Sequence, residues 1–219
     1  MKLPGRDRDP DAAGFVLAGG QSRRMGTDKA LVAFDGQPLI CRAIDILRAA
    51  GLPVSIAGAR SPLDSYAPVV HDAEPGLGPL AGICAALKST SALHAVFLPV
   101  DLPQMPASLV VYLLEHAWIT GSTVTLATVN AFPQTFPVVL DRQTLPAFEQ
   151  ELAAGRRGCY SAFRRAAADL GQPIAELPVE VLVQSGQVTH PDANPPAYWF
   201  LNINAPADLH RASAGSPRR

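Results

Sequence analysis

The sequence predicts a single α/β domain built on a mostly parallel sheet between layers of helices. Three observations predict it: short apolar runs that stop at glycine or aspartate, helical apolar spacing between those runs, and no internal repeat or linker. Gly14-Phe15-Val16-Leu17-Ala18 is broken by Gly19-Gly20, as a buried parallel strand ending in a loop would be. Pro38 suits a first helical turn, and Leu39, Ile40, Ala43, Ile44 and Leu47 then recur on one helical face until Gly51. Pro53–Ala57 and Pro68–His71 read as two short strands. Gly78-Pro79-Leu80-Ala81-Gly82 leads into a helix over Ile83–Lys88, and Ala95–Val100 is a strand that delivers Asp101. A helix near Pro106, strands at Thr123–Val129 and Phe136–Leu140 and a helix over Gln143–Ala154 follow. The remainder is mixed and is expected to close with a strand near Tyr198–Leu201 and a helix near Pro206. The domain is expected over residues 14–212, with disordered tails at 1–13 and 213–219.

Composition narrows the function. The chain has 219 residues, 48% of them hydrophobic, and a formal net charge of −1, so it is not built to coat nucleic acid or an anionic membrane. Any affinity for phosphate must be local. No apolar run approaches the roughly 20 residues of a membrane helix, and the opening segment is too polar for a secretory signal, so the expectation is a cytoplasmic protein. Cys41, Cys84 and Cys159 are widely spaced and read as reduced core thiols.

The most informative stretch is Leu17-Ala18-Gly19-Gly20-Gln21-Ser22-Arg23-Arg24-Met25-Gly26-Thr27-Asp28-Lys29. It combines close-approach glycines with three cations, and Lys29 is one of only three lysines in the chain. Glycines let backbone N–H groups reach phosphate oxygens without a Cβ in the way, and Arg24 and Lys29 can neutralise a triphosphate. Neither the P-loop spacing nor G-x-G-x-x-G fits.

The order L-A-G-G-x-S-x-R-M-G-x-D-K resembles the signature of the molybdenum cofactor nucleotidyltransferases, and Leu-Ala-Gly-Gly is similar to the guanylyltransferase branch rather than the Leu-Ala-Ala-Gly of the cytidylyltransferases. The resemblance implies a Rossmann-like three-layer α/β/α fold of the nucleotide-diphospho-sugar transferase type. It also implies nucleotide contacts from Leu17, Ala18, Gly19, Gly20, Arg24, Lys29, Asp72 and Asp101. Sugar-nucleotide synthases differ, with G-x-G-T-R-M and a Pro before the Lys. Gly19 is compatible with room for a purine.

Leu98-Pro99-Val100-Asp101-Leu102-Pro103 holds one carboxylate at a strand end between two prolines, suited to Mg²⁺, which takes one or two carboxylates plus phosphate oxygens. The resemblance gives Asp101 the same metal role. A helix cap near Pro106 is the plainer alternative. His71 reads as a packed or solvated histidine. Gly76–Gly82 mimics a dinucleotide fingerprint, but Asp72 and Glu74 would repel a pyrophosphate and Pro79 removes an N–H. Gly-Pro-Leu-Ala-Gly instead matches the guanylyltransferases.

On the acceptor side, Asn202 and Asn204 in Asn-Ile-Asn-Ala-Pro resemble the family's Asn-x-Asn-Thr-Pro, with Ala205 in place of Thr. Arg156 and Arg157 between glycines could meet an acceptor phosphate, or serve as charges at a helix C-terminus. Ala57-Gly58 lacks an Asn that relatives offer to the nucleotide.

Taken with the resemblance, these residues imply a Mg²⁺-dependent transfer of GMP from GTP to molybdopterin, with Lys29 and Asp101 catalytic. They further imply transient contact with other cofactor-biosynthesis or molybdoenzyme maturation proteins. The alternatives are a cytidylyl- or sugar-1-phosphate nucleotidyltransferase on the same fold, or a nucleotide-binding module without turnover.

Overall fold

The computed structural model describes residues 11–19, 28–58, 63–72, 76–205 and 207–209. β1 (Ala12–Leu17) is buried along its whole length. It begins two residues before the expected start, and Ala12 and Ala13 belong to it rather than to a tail. A single 3-10 turn at Lys29–Leu31 precedes β2 (Ala33–Phe34) and β3 (Gln37–Pro38). These two form a small hairpin through Asp35-Gly36, both at positive φ (48° and 78°), as an Asp-Gly turn allows.

α1 (Leu39–Ala49), β4 (Val54–Ala57), β5 (Val69–Val70), α2 (Pro79–Ser89) and β6 (His94–Pro99) match the expected order. α2 starts earlier than its apolar spacing suggests, because Pro79 takes the first helical position behind Gly78 at φ 89°. α3 (Ala107–Thr120), β7 (Val124–Val129), β8 (Phe132–Asp141) and α4 (Leu145–Ala153) follow. The mixed region then resolves into α5 (Cys159–Asp169), β9 (Ala175–Pro178), α6 (Val179–Gln184) and α7 (Pro196–Trp199).

The strand expected near Tyr198–Leu201 is absent. Pro195 and Pro196 open a helical turn there, and the Trp199 ring, 1% exposed, donates its Nε1–H to the Asn194 carbonyl at 2.7 Å. The preference for tucking that indole into the core overrides the strand-like aromatic pattern.

One seven-stranded sheet takes strands from both halves of the chain, in the order β5-β4-β1-β6-β8-β7-β9. Only β8 runs against its neighbours, so the sheet is mostly parallel. Its faces bury alternate side chains into two cores. Val16, Val96 and Leu98 pack with α1, α3 and Trp199, while Phe15, Leu17 and Phe97 pack with α2, α4 and α5. Phe15 and Phe97 stack at 5.4 Å between ring centroids. The result is the expected three-layer α/β/α arrangement. All three cysteines are free thiols; burial pushes Cys84 up to about 11 and Cys159 up to about 12, which keeps them protonated and inert.

Among the described residues no helix is long and apolar enough to cross a membrane.

The chain leaves β1 toward β4 and β5 on one side and returns to place β6 on the other, so the direction of winding switches between β1 and β6. Ligand sites of open α/β sheets lie at that switch, beyond the carboxyl ends of the strands. Because Trp199 fixes the segment that leads into residues 201–205, Trp199→Ala is expected to cost about 3–5 kcal/mol of stability. A urea titration followed by far-ultraviolet circular dichroism checks it.

Candidate active site

The two strands at the switch are in register to their ends, Leu17 opposite Pro99, and the Val100 N–H donates to the Leu17 carbonyl at 3.2 Å. The exits of the glycine loop and of the Asp101 turn are thereby placed side by side. On the other flank the Ala18 N–H donates to the Ala57 carbonyl at 3.0 Å, which brings Gly19 against Gly58.

That approach is close. A Cβ on Gly19 would lie 2.6 Å from the Gly58 carbonyl oxygen, inside any tolerable contact, and Gly58 itself sits at φ 72°. Asp72 closes the group from below. Its carboxylate oxygens lie 3.6 Å from the places where side chains on Gly58 and Gly82 would begin. Gly82 is in the first turn of α2, so Asp72 rests near a helix N-terminus, whose partial positive charge favours a carboxylate. Of the glycines in the fingerprint-like stretch, Gly78 forms a cap and Gly82 lies in ordinary contact with Asp72 and the Gly58 backbone. His71 is exposed.

Lys29 is set from its backbone outward. The Asp28 carboxylate accepts the Ala30 N–H at 2.9 Å and so starts the 3-10 turn that carries Lys29, with Ala30 buried as its anchor. The Lys29 ammonium, on a side chain 13% exposed, donates to Asp101 Oδ2 at 2.9 Å and to Asn204 Oδ1 at 2.7 Å. Asp101 is fixed in turn, since its carbonyl accepts the Ile203 N–H at 3.0 Å. Asp208 accepts the N–H groups of Asn204 and Ala205, both at 2.8 Å, on one carboxylate oxygen. A side chain that reaches back in this way braces the backbone at both residues, and Ala205 has no hydroxyl to reciprocate.

Of the residues singled out from sequence, Lys29, Asp101 and Asn204 are brought into one hydrogen-bonded cluster, with Leu17, Ala18 and Gly19 at the adjoining strand end. Asp72 lies on the Gly58–Gly82 side of the same sheet end. Gly20 and Arg24 lie outside the described residues. Asn202 is exposed beside the buried Ile203, and none of its described contacts reaches the cluster. Arg156 forks onto Glu151 at 2.7 and 2.6 Å at the end of α4, and Arg157 is exposed in the same turn. The partnership of Asn204 with Lys29, the bracing by Asp208 and the Gly19–Gly58 contact are not among the sequence expectations. Only Asp208 left a readable trace, as the acidic residue that follows Asn204-Ala205-Pro206-Ala207 in the sequence.

The donor set fits a divalent cation whose remaining ligands come mainly from substrate and water. Asp101 Oδ1 is buried with no hydrogen-bond partner among the described residues, and no group of three or more His, Cys, Asp or Glu gathers there as a cage. One carboxylate completed by phosphate oxygens and water is how Mg²⁺ is commonly held.

Residues 14–170, which carry β1, Lys29, Asp72 and Asp101, match the sequence model of the MobA-like NTP transferase domain. The chain belongs to this family. A molybdenum cofactor guanylyltransferase of Pseudomonas putida is 36% identical over 166 residues, covering 74% of this chain and 86% of that protein. The crystal structure of molybdopterin-guanine dinucleotide biosynthesis protein A from Archaeoglobus fulgidus superposes with a TM-score of 0.73 at 22% identity, covering 92% of this chain and 97% of that one. A Mycobacterium tuberculosis protein solved in complex with manganese superposes with a TM-score of 0.62 at 16% identity, covering 92% and 97%. These superpositions concern the fold; the sequence match makes this MobA-like chain a nucleotidyltransferase. Nucleotidyltransferases of the family generally use a divalent metal. The matched residues end before Asn202–Ala205, so the tie between Asn204 and Lys29 comes from the structure.

Gly19→Ala is expected to force β1 and the β4 loop apart, lowering stability by about 1–3 kcal/mol, the usual cost of overpacking. Thermal melts of the variant beside Gly82→Ala, where an added Cβ meets its nearest neighbours at 3.6 Å and the backbone is helical, separate the contact from a general loss of glycine.

Proposed function

We propose that this chain transfers GMP from GTP to molybdopterin, releasing pyrophosphate and forming the guanine dinucleotide form of the molybdenum cofactor. The carrying observation is the Lys29 ammonium held between Asp101 at the end of β6 and Asn204 in the C-terminal strip. A donor-side cation, a metal-suited carboxylate and an acceptor-side amide meet within hydrogen-bond reach. In this reading an oxygen of the acceptor phosphate attacks the α-phosphorus of GTP, the bond to the β-phosphate breaks, and pyrophosphate leaves. No covalent enzyme intermediate is involved.

Lys29, with Arg24 of the glycine loop, neutralises charge on the triphosphate and leaving pyrophosphate, while the loop backbone from Leu17 to Gly20 cradles the nucleotide. Asp72 contacts the nucleotide from the Gly58–Gly82 side. Asp101 holds Mg²⁺, which when bound supplies charge neutralisation across the phosphates. Asn202 and Asn204 face the acceptor. Arg156 remains tied to Glu151 unless the acceptor displaces that pair, and Arg157 is the cation of that turn open to an acceptor phosphate. Positioning and fixed charge account for the rate. The reaction is placed in the cytoplasm, with transient contact to proteins that make the cofactor or receive it.

The choice of guanine is supported by kinship with the Pseudomonas putida guanylyltransferase. Gly19 supports it less directly than its place in the motif suggests, because the Gly58 carbonyl already requires a glycine there.

GTP with Mg²⁺ is expected to raise the melting temperature more than CTP with Mg²⁺ at equal concentration; equal shifts would remove the guanine assignment while leaving the nucleotidyltransferase. Asp101→Asn keeps the shape and one acceptor oxygen but removes the charge. It is expected to lower pyrophosphate release about a hundredfold to a thousandfold, with folding intact. Turnover at the parental rate and with the parental magnesium dependence would remove Asp101 from the mechanism.

A further inference from the structure

Asp101 is assigned to a divalent cation, yet one of its oxygens already has a cation. The Lys29 ammonium sits 2.9 Å from Oδ2, and among the described residues it is the ion-pair partner of Asp101. An ammonium has three donors, and two are engaged here, on Asp101 and Asn204. The placement is firm at every root: Asp28 caps the turn of Lys29, Ile203 binds the carbonyl of Asp101, and Asp208 holds the backbone of Asn204. A metal ion entering at Oδ1 meets this charge across the width of one carboxylate. Cations a few ångströms apart repel each other, and the hydrogen bond also draws electron density from the ligand.

A bound triphosphate changes the balance. It brings oxygens that can take both cations, so Lys29 can turn from the carboxylate to phosphate and leave Asp101 free to hold a metal ion that enters with the nucleotide. Resting on the reading of Asp101 as the metal carboxylate, we infer that Lys29 is also the resident counter-ion of Asp101, so that the nucleotide-free protein resists divalent cations and admits them with the triphosphate. Asn204 is a positioning residue in this arrangement. It gives the ammonium its second acceptor and keeps it at the carboxylate. Lysine and metal are therefore competitors without nucleotide and cooperate with it, an order of assembly enforced by a single side chain.

The test is Mn²⁺ binding to the full-length protein, read by electron paramagnetic resonance of the free ion, with and without a GTP analogue whose α–β bridge cannot be cleaved. Without nucleotide, Lys29→Met is expected to bind Mn²⁺ about tenfold more tightly than the parent, or more, since a charge-assisted hydrogen bond no longer competes. Asn204→Ala is expected to shift affinity in the same direction by a smaller factor. Adding the analogue is expected to tighten Mn²⁺ binding far more in the parent than in Lys29→Met. If Lys29→Met and Asn204→Ala both bind Mn²⁺ as the parent does, while Asp101→Asn loses the nucleotide-dependent binding, the counter-ion role is wrong and the metal carboxylate stands. If Asp101→Asn keeps parental Mn²⁺ binding in the presence of the analogue, the metal assignment fails and the counter-ion role with it.

Discussion

The pairing of β1 with β6 governs what the rest of the chain can build. Both strands are buried on both faces, and their parallel register runs from Ala12 opposite His94 to Leu17 opposite Pro99. Two apolar cores, one on each side of the sheet, hold that register, because slipping by one residue would exchange the side chains that belong to each core. With the register fixed, the glycine loop and the Asp101 turn leave the sheet at the same height. The active site is then a matter of short-range geometry at two adjacent chain exits.

Around those exits the structure uses backbone where it needs proximity and side chains where it needs charge. Gly19 admits the Gly58 main chain, and Gly58 and Gly82 face Asp72 without side chains between them. Lys29, Asp101 and Asn204 meet instead through polar side chains, one long and two short, whose roots are each tied down by a separate hydrogen bond. Rigidity at the roots combined with freedom at the ammonium suits a reaction whose barrier is lowered by alignment and electrostatics, since little must be reorganised when phosphates arrive.

The sheet was largely legible in the sequence because its strands are buried on both faces and appear as short unbroken apolar runs, with helical spacing between them. Legibility failed where local pattern and tertiary demand disagree. Tyr198-Trp199-Phe200-Leu201 has the composition of a strand, but the prolines before it and the indole that needs a carbonyl make it a helical turn. Ala162, Ala166 and Ala167 of α5 are too weakly apolar to announce a buried helix, although Phe163 anchors it. Within the site, Lys29 and Asp101 could be named singly from their motifs. That Asn204 joins them across 175 positions could not, because nothing local to either residue encodes the other. Arg156 shows the converse: two glycines made it look available, whereas Glu151, five residues earlier on the preceding helix, already engages it.

The contact between Gly19 and the Gly58 carbonyl also bears on how such an enzyme could change its base. The two residues follow the ends of different strands, β1 and β4, and the space one needs is occupied by the main chain of the other. A lineage that acquires a methyl group at position 19 must first, or at the same moment, draw back the loop after β4. A side chain at position 19 and the path of the loop after β4 are therefore one coupled choice, and changing the residue alone leaves a clash.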